Sequence, residues 1–251
     1  MMDDRAVSEV VGYVLVLALV VSTMGVLFTT GFGTLQDAQQ AEQVNNVERA
    51  FDVLDANFED MYRDGAPSRA TEMRLVDGSL GFGEPTTIDV TQDGETIDNL
   101  TVTTHPIEYE SGGGTRIVYD HGALIRAEDD SSVMLAEPNF VLDDDHVVVS
   151  GVRTRPMSDS PTSVDRTETV LIGGEHLRTD IAATNSSDEP LNITVESGQV
   201  DAWESYFQTR EEQGIGIVVE RTDDSVTFQI DSNDYESVSV LRPVIRISFR
   251  N

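Results

Sequence analysis

The chain has 251 residues, no cysteine, and 46 acidic against 16 basic residues, which gives a net charge of −30 at pH 7. The absence of cysteine excludes a disulfide framework, a Cys-ligated zinc site and a thiol nucleophile. We expect no nucleic-acid partner, because basic side chains neutralise phosphates and the sequence contains no basic run.

The excess negative charge lies almost entirely after residue 33, where 43 acids face 15 arginines, and the chain has no lysine. Such a region repels itself at ordinary ionic strength, whereas molar salt shortens the Debye length to about 3 Å and screens the repulsion. Regular alternation of β-branched and aromatic residues argues against disorder. The composition therefore predicts a folded domain adapted to high salt.

Residues 10–36 contain no charged side chain. As a helix they would cover about 40 Å, more than the roughly 30 Å hydrocarbon layer of a bilayer. A secretory signal has a shorter apolar core, about 7–15 residues, followed by a small-residue cleavage site that is missing here. The sequence predicts a membrane span that the mature protein retains.

The residues around the start of this span resemble the class III signal of archaeal type IV pilins and pilin-like proteins. The likeness rests on Arg5, Ala6, Val7, Ser8, Val10, Val11 and Gly12, followed by an aliphatic run. It implies that a prepilin-type peptidase cuts between Ala6 and Val7, which makes residues 1–6 a leader. Glu9 departs from the family pattern, which usually has Pro there. Residues 46–54 and 65–69 look like an uncharacterised haloarchaeal pilin-like family.

Two features of the span suggest assembly. Ala18, Ser22, Gly25 and Thr29 form a stripe of small residues that would let neighbouring helices approach closely, although small residues are also common in membrane helices generally. The resemblance implies that Glu9 pairs with the Val7 amine of an adjacent subunit. The alternative is a solvated Glu9 that favours the positive end of the helix dipole.

Helical periodicity continues after the span. Apolar residues recur every three or four positions at Leu35, Ala38, Ala41, Val44, Val47, Phe51, Leu54, Phe58 and Met61. This pattern predicts an amphipathic helix over residues 34–64, continuous with the span over residues 7–33. Gly65 and Pro67 mark its end, since glycine accepts a left-handed cap and proline cannot continue a helix.

Residues 65–251 show the period-two alternation of β-strands, as at Val226, Phe228 and Ile230. We predict an α+β fold, in which the N-terminal helix precedes a mainly antiparallel β-rich ectodomain of ten or more strands, in one domain or two subdomains. A short helix over residues 202–213 interrupts the strands. Asp201 and Glu204 have capping-box spacing there, and Trp203 is interpreted as a core anchor.

Asn99, Asn185 and Asn192 each begin an Asn-x-Ser/Thr tripeptide and are candidate N-glycosylation sites. No catalytic motif is present, and the four histidines lack metal-ligand spacing. Acidic runs at residues 128–130 and 143–145 are interpreted as solvated surface. We therefore predict no catalytic residue, cofactor or metal.

Together these observations predict an exported pilin-like protein with an N-terminal membrane anchor and an extracellular ectodomain. The expected role is that of a minor subunit of a type IV pilus-like filament, in adhesion or surface assembly. Its expected partners are membrane lipid, the prepilin-type peptidase and other pilin-like subunits. Two alternatives stay open: a membrane-tethered binding or envelope protein that never polymerises and, less favoured, a surface hydrolase.

Overall fold

A computed structural model describes residues 3–92, 95–96, 100–143, 146–165, 168–185 and 189–250, without the side chains of residues 3–9, 29–37 and 95–96. The chain divides into two compact units, Met1–Asn45 and Asn46–Asn251. The division falls within the predicted amphipathic helix. Residues 46–62 therefore belong with the β-rich unit rather than with the apolar segment.

Helix α1 covers Asp3–Tyr62. Its end is the predicted one: Gly65 has a φ of 75°, and the Ala66 amide donates to the Asp60 carbonyl at 3.2 Å. The Asp60 carbonyl also accepts from the Asp64 amide at 3.2 Å, so the two amides together close the last turn before the left-handed Gly65.

The second half of α1 packs on the β-rich unit through the predicted apolar face. Phe51, Leu54, Phe58 and Met61 are at most 1% exposed. The Phe58 ring meets the Tyr119 ring edge-to-face, with the centroids 5.2 Å apart. Earlier in the helix, Ala38 and Ala41 are exposed, so the amphipathic pattern does not correspond to burial at those two positions.

The strands form three six-stranded sheets. Sheet A contains β1 (Ser68–Arg74), β10 (Val141–Leu142), β11 (His146–Ser150), β12 (Arg153–Pro156), β14 (Thr169–Asn185) and β18 (Ser237–Arg250). Sheet B contains β2 (Gly78–Phe82), β6 (Ile107–Ser111), β7 (Arg116–Asp120), β8 (Ala123–Glu128), β9 (Ser131–Ala136) and β13 (Ser163–Val164). Sheet C contains β3 (Thr86–Gln92), β4 (Glu95–Thr96), β5 (Val102–Thr104), β15 (Leu191–Glu196), β16 (Ile217–Arg221) and β17 (Ser225–Ile230).

The strand order is β1-β14-β18-β11-β10 in sheet A, with β12 also on β18. It is β13-β2-β6-β7-β8-β9 in sheet B and β16-β17-β15-β3-β4 in sheet C, with β5 also on β3. Pairing is antiparallel except where β11 and β12 run parallel to β18. The predicted α+β, mainly antiparallel class is confirmed.

Strand β18 packs against different elements in its two halves. Val238 and Val240, in the first half, belong to the core beneath sheet C and α2 (Val200–Glu212). In the second half the other face is buried: the Ile245 side chain lies beside Gly174, which also contacts Phe58 and Met61 of α1. Over the second half of β18, the Val238 face faces away from α1 and alternates half-buried Arg242 and Arg246 with buried Val244 and Ser248.

Helix α2 lies close to the predicted range, and Trp203 is fully buried in the core as predicted. The predicted capping box is wrong. The N-cap is Gln199, with no side-chain cap hydrogen bond, while Asp201 and Glu204 both accept from Arg221 of β16, at 2.6 Å and 2.9 Å. An arginine from the neighbouring strand therefore binds both acids.

Candidate functional site

The most exposed apolar surface of the described chain is the first part of α1. Val10–Phe28 has a mean hydropathy of 2.5, and none of it is buried. Its large apolar residues are all exposed; Val20 is the least exposed, at 41%, and Leu27 the most, at 71%. By length and composition this helix is able to cross a membrane.

The polar groups of this segment are compatible with an apolar environment. The Thr23 hydroxyl donates within the helix to the carbonyls of Leu19 and Val20, at 3.0 Å and 2.9 Å. A hydroxyl satisfied in this way does not need water.

The small residues Ala18, Ser22 and Gly25 lie on one face of the helix, because their spacings of four and three return to the same side. A methyl group in place of the Gly25 hydrogen would meet no atom of another described residue within 4 Å, apart from the backbone of its own helix. The backbone of Thr29 continues the helix, but its side chain lies outside the described residues. The stripe is open to an approaching helix.

The processing junction is helical in its backbone. The side chains of Arg5, Ala6, Val7 and Glu9 lie outside the described residues. The cut after Ala6 and the pairing of Glu9 stay predictions.

The glycosylation candidates occupy different environments. Asn185 is exposed and is the last residue of β14. Asn192 is half-buried in β15, between β3 and β17, and its Oδ1 accepts from Gln229 Nε2 at 2.9 Å. Asn99 lies outside the described residues. Of the two described sites, Asn185 is the more accessible to a glycosyltransferase.

A buried polar cluster that no sequence pattern indicated lies at the β7–β8 turn. The Asp120 carboxylate accepts from the Thr86 hydroxyl at 2.6 Å and from the Ser197 hydroxyl at 3.0 Å. These bonds tie sheet B to sheet C and to the segment before α2. His121 and Gly122 form the turn with φ values of 53° and 92°, as a two-residue type I′ hairpin requires.

The cluster contains serine, histidine and aspartate but lacks the geometry of a catalytic triad. Ser197 donates directly to Asp120, and His121 Nε2 lies 3.8 Å from Asp120 Oδ1, beyond hydrogen-bond distance. Burial lowers the pKa of His121, which favours the neutral ring. Asp120 and His121 are at most 1% exposed, so a substrate has no direct access to them.

No group of three or more potential metal ligands comes together among the described residues. Within the same part of the chain, the Asp201, Asp223 and Asp129 side chains line one groove, where Arg116 and Arg221 also lie. Among these five residues, Arg221 pairs with Asp201, which makes a surface ion pair rather than a metal site the better interpretation.

The fold and the open helix define a class: an α+β protein with a β-rich unit and an N-terminal apolar helix long enough to cross a membrane. Residues 5–248 match the model of a family of unknown function, DUF7289, and the chain belongs to that family. Neither the comparison with curated proteins nor the comparison with solved structures found a match.

Proposed function

We propose that this chain is an exported, membrane-anchored pilin-like protein, a minor subunit of a type IV pilus-like filament in adhesion or surface assembly. The observation that carries the proposal is the complete exposure of Val10–Phe28. Full burial of one aliphatic side chain is worth about 1.5–3 kcal/mol, so leaving this segment in water costs on the order of tens of kcal/mol. A lipid bilayer or a filament core removes that cost.

Two further observations support assembly. The ectodomain has its own core around Trp203, Phe207 and Phe228, so it does not need the apolar segment for burial. The face with Ala18, Ser22 and Gly25 is open, and helices in lipid associate through such small-residue faces. Membrane lipid and other pilin-like subunits are the partners that these surfaces fit.

The first experiment determines the mature N-terminus of the native protein by mass spectrometry. A start at Val7 supports prepilin-type processing, with the leader of residues 1–6 removed. An Ala6→Trp variant is the control, because a bulky residue at the junction should block the cut and leave the leader in place. A start after residue 28 would remove the anchor and overturn the proposal. An intact Met1 would indicate a plain anchor.

A second candidate is a membrane-tethered envelope protein that never polymerises, which Glu9 favours because it stands where related pilins usually have Pro. Mass spectrometry of purified surface filaments separates the two candidates, since only a subunit is recovered with them. A Glu9→Gln variant that assembles normally would show that the carboxylate does not pair with a neighbouring amine.

The proposal assigns no catalytic role. The serine–histidine–aspartate cluster at the β7–β8 turn is buried, and the hydrogen bonds of its Asp120 carboxylate connect sheet B with sheet C. The surface-hydrolase alternative would require hydrolytic turnover that is lost in an Asp120→Asn variant that still folds.

A further inference from the structure

Five arginines gather on one half-face of sheet A. We call this surface the arginine half-face: Arg153, Arg155, Arg178, Arg242 and Arg246. Residues paired across neighbouring strands point to the same side of a sheet. Arg155 of β12 pairs with Arg246 of β18. Arg153 of β12 and Arg178 of β14 both pair with Val244, which is two residues before Arg246 on β18. Alternation along β18 brings Arg242 to the same side.

Helix α1 packs on the side of the second half of β18 that is opposite the arginine half-face, and Ile245 and Ile247 are fully buried there. On the arginine side, Val244 and Ser248 are also buried, at 2% exposed each, among the arginine side chains. On the arginine side, the Arg178 side chain is 59% exposed and the Arg246 side chain 43%. Arg155 is also exposed. The guanidinium groups can therefore meet a partner.

The half-face has too few carboxylates for its guanidinium groups. Arg178 pairs with Asp180 and Arg246 with Glu175, each at 2.9 Å. Among the described residues, no carboxylate lies within 4.0 Å of Arg153, Arg155 or Arg242. Burial, followed by the charges of Arg155, Arg242 and Arg178, lowers the pKa of Arg153. The like charges are thus close enough to repel one another.

Donors on this side also lack acceptors. Within the described part of the chain, the Nε atoms of Arg242 and Arg246 and the hydroxyl of Ser248 are buried without a hydrogen-bond partner. Ser248 lines a groove of about 640 Å³ together with Glu175 and Arg250. The terminal guanidinium nitrogens of the exposed Arg155, Arg178 and Arg246 are the donors that an incoming carboxylate can reach.

A shortage of carboxylates beside arginines is unusual in a chain with almost three times as many acidic as basic residues. Elsewhere six described arginines pair with a carboxylate, as Arg126 does with Glu48 and Arg221 with Asp201. The described arginines without such a partner outside the half-face, Arg49, Arg74 and Arg250, lie on separate elements or at a strand end. Three guanidinium groups that have no described carboxylate within 4.0 Å lie on one half-face, although Arg153 Nε donates to the Thr103 carbonyl at 3.2 Å. In a molecule of net charge −30 they form a local positive surface on a negative protein. The surface that such a patch fits best is strongly acidic, and the rest of this chain supplies one.

We propose that the arginine half-face binds the acidic surface of a second copy of this chain. Contact between two arginine half-faces is repulsive, so the contact joins unlike surfaces. Such a contact either is made twice in a two-fold symmetric dimer or repeats from copy to copy in a ring or an open row. It uses ectodomain residues only and applies to a filament subunit and to a tethered protein alike, so its test is separate from that of the N-terminus.

The test uses the absence of cysteine. A Ser158→Cys variant of the full-length chain in detergent micelles, labelled with a benzophenone, places a photo-crosslinker on an exposed position two residues after β12. Mixed ¹⁴N and ¹⁵N protein identifies cross-links between copies by mass spectrometry. We expect these cross-links to lead from the half-face to acidic segments of the other copy, and to weaken as KCl rises from about 0.2 M to about 2 M.

Matched charge reversals complete the test. Arg155→Glu and Arg178→Glu, both at exposed positions, should each lower the yield of cross-links between copies about tenfold. Arg49→Glu makes the same charge change at an exposed position on α1 and should leave the yield unchanged. Circular dichroism confirms that each variant is folded.

Three results would overturn the inference. The yield could be the same in Arg155→Glu, Arg178→Glu and Arg49→Glu, or the cross-links could join two half-faces. The third result is polyphosphate binding that Arg155→Glu abolishes in a protein whose copies do not cross-link, which would assign the surface to a free polyanion.

Discussion

Asp55 is half-buried on the face of α1 that packs against the sheets. Burial is the largest cause that raises its pKa, to about 7, and the charges of Glu59 and Asp52 add to the effect. Its Oδ1 and the hydroxyl of Tyr119 are buried without a hydrogen-bond partner among the described residues. The folded protein therefore holds a proton on Asp55 that the unfolded chain releases near pH 4.

A raised carboxyl pKa makes stability fall as pH increases. Between about pH 4 and pH 7 the folded state binds the extra proton, so the free energy of unfolding declines through this window and the contribution is lost above it. Asp55→Asn keeps the side chain neutral and should raise the free energy of unfolding at pH 8 by about 2 kcal/mol, with little effect at pH 4.

Chemical denaturation of the full-length chain at pH 4, 6 and 8 measures this difference. Asp52→Asn is the matched control, because Asp52 is exposed on the same helix and should change the pH dependence much less. A pH dependence that is the same in Asp55→Asn and in the wild type would contradict the assignment.

Sequence reasoning at the residue scale succeeded where one physical effect dominates. The burial of Trp203 was predictable because a large aromatic side chain, on the same helical face as Tyr206 and Phe207, buries much apolar area when it packs in the core. Asp120 could not be found, since its partners Thr86 and Ser197 lie far away in the sequence and match no motif. The capping box failed because a distant strand provides Arg221, which binds both acids.

At the scale of elements, we predict that the second half of α1 stabilises the β-rich unit on which it packs. Phe58 is 1% exposed and contacts Tyr119, whereas Val53 on the same helix is 53% exposed. Phe58→Ala should lower the free energy of unfolding by about 3–5 kcal/mol, because it leaves a cavity in a packed core. Val53→Ala should change it by less than about 0.5 kcal/mol.

Urea unfolding followed by tryptophan fluorescence measures both variants, since Trp203 is the one tryptophan and lies in the ectodomain core. Similar small effects of Phe58→Ala and Val53→Ala would mean that α1 does not contribute to the stability of the β-rich unit.

The elements themselves were largely predictable, because periodicity is a local property. Alternation identified strands such as β17, and the glycine at residue 65 identified the end of α1. The three-sheet arrangement was not predictable in the same way. Strand β18 pairs with β14 on one side and with β11 and β12 on the other, and only long-range packing sets that order.

At the scale of the whole molecule, the fold distributes charge in a way that the sequence does not show. The arginines of the half-face come from β12, β14 and β18, so no single basic run in the sequence indicates them. Sequence reasoning found no basic surface for this reason. The fold concentrates positive charge on one half-face and leaves the excess of negative charge on the remaining surface.

That excess predicts a strong dependence of stability on salt. Self-repulsion at a net charge of −30 destabilises the compact state, and screening at molar salt relieves it. In detergent micelles, the midpoint temperature of unfolding of the full-length chain should rise by about 10 °C between about 0.1 M and about 2 M KCl. In a domain of this size, about 2–4 °C corresponds to 1 kcal/mol in the free energy of unfolding.

A variant with fewer charges separates screening from other effects of salt. Asp129, Asp130 and Asp223 are exposed, and replacing all three with Asn removes three negative charges with little change in shape. Asp129 has a φ of 50°, which Asn tolerates. This variant should unfold at a higher temperature than the wild type in low salt, and the difference should disappear at about 2 M KCl. Equal salt responses in the two proteins would show that the fold is stabilised by exclusion of the salt from the protein surface, and not by screening of the acidic side chains.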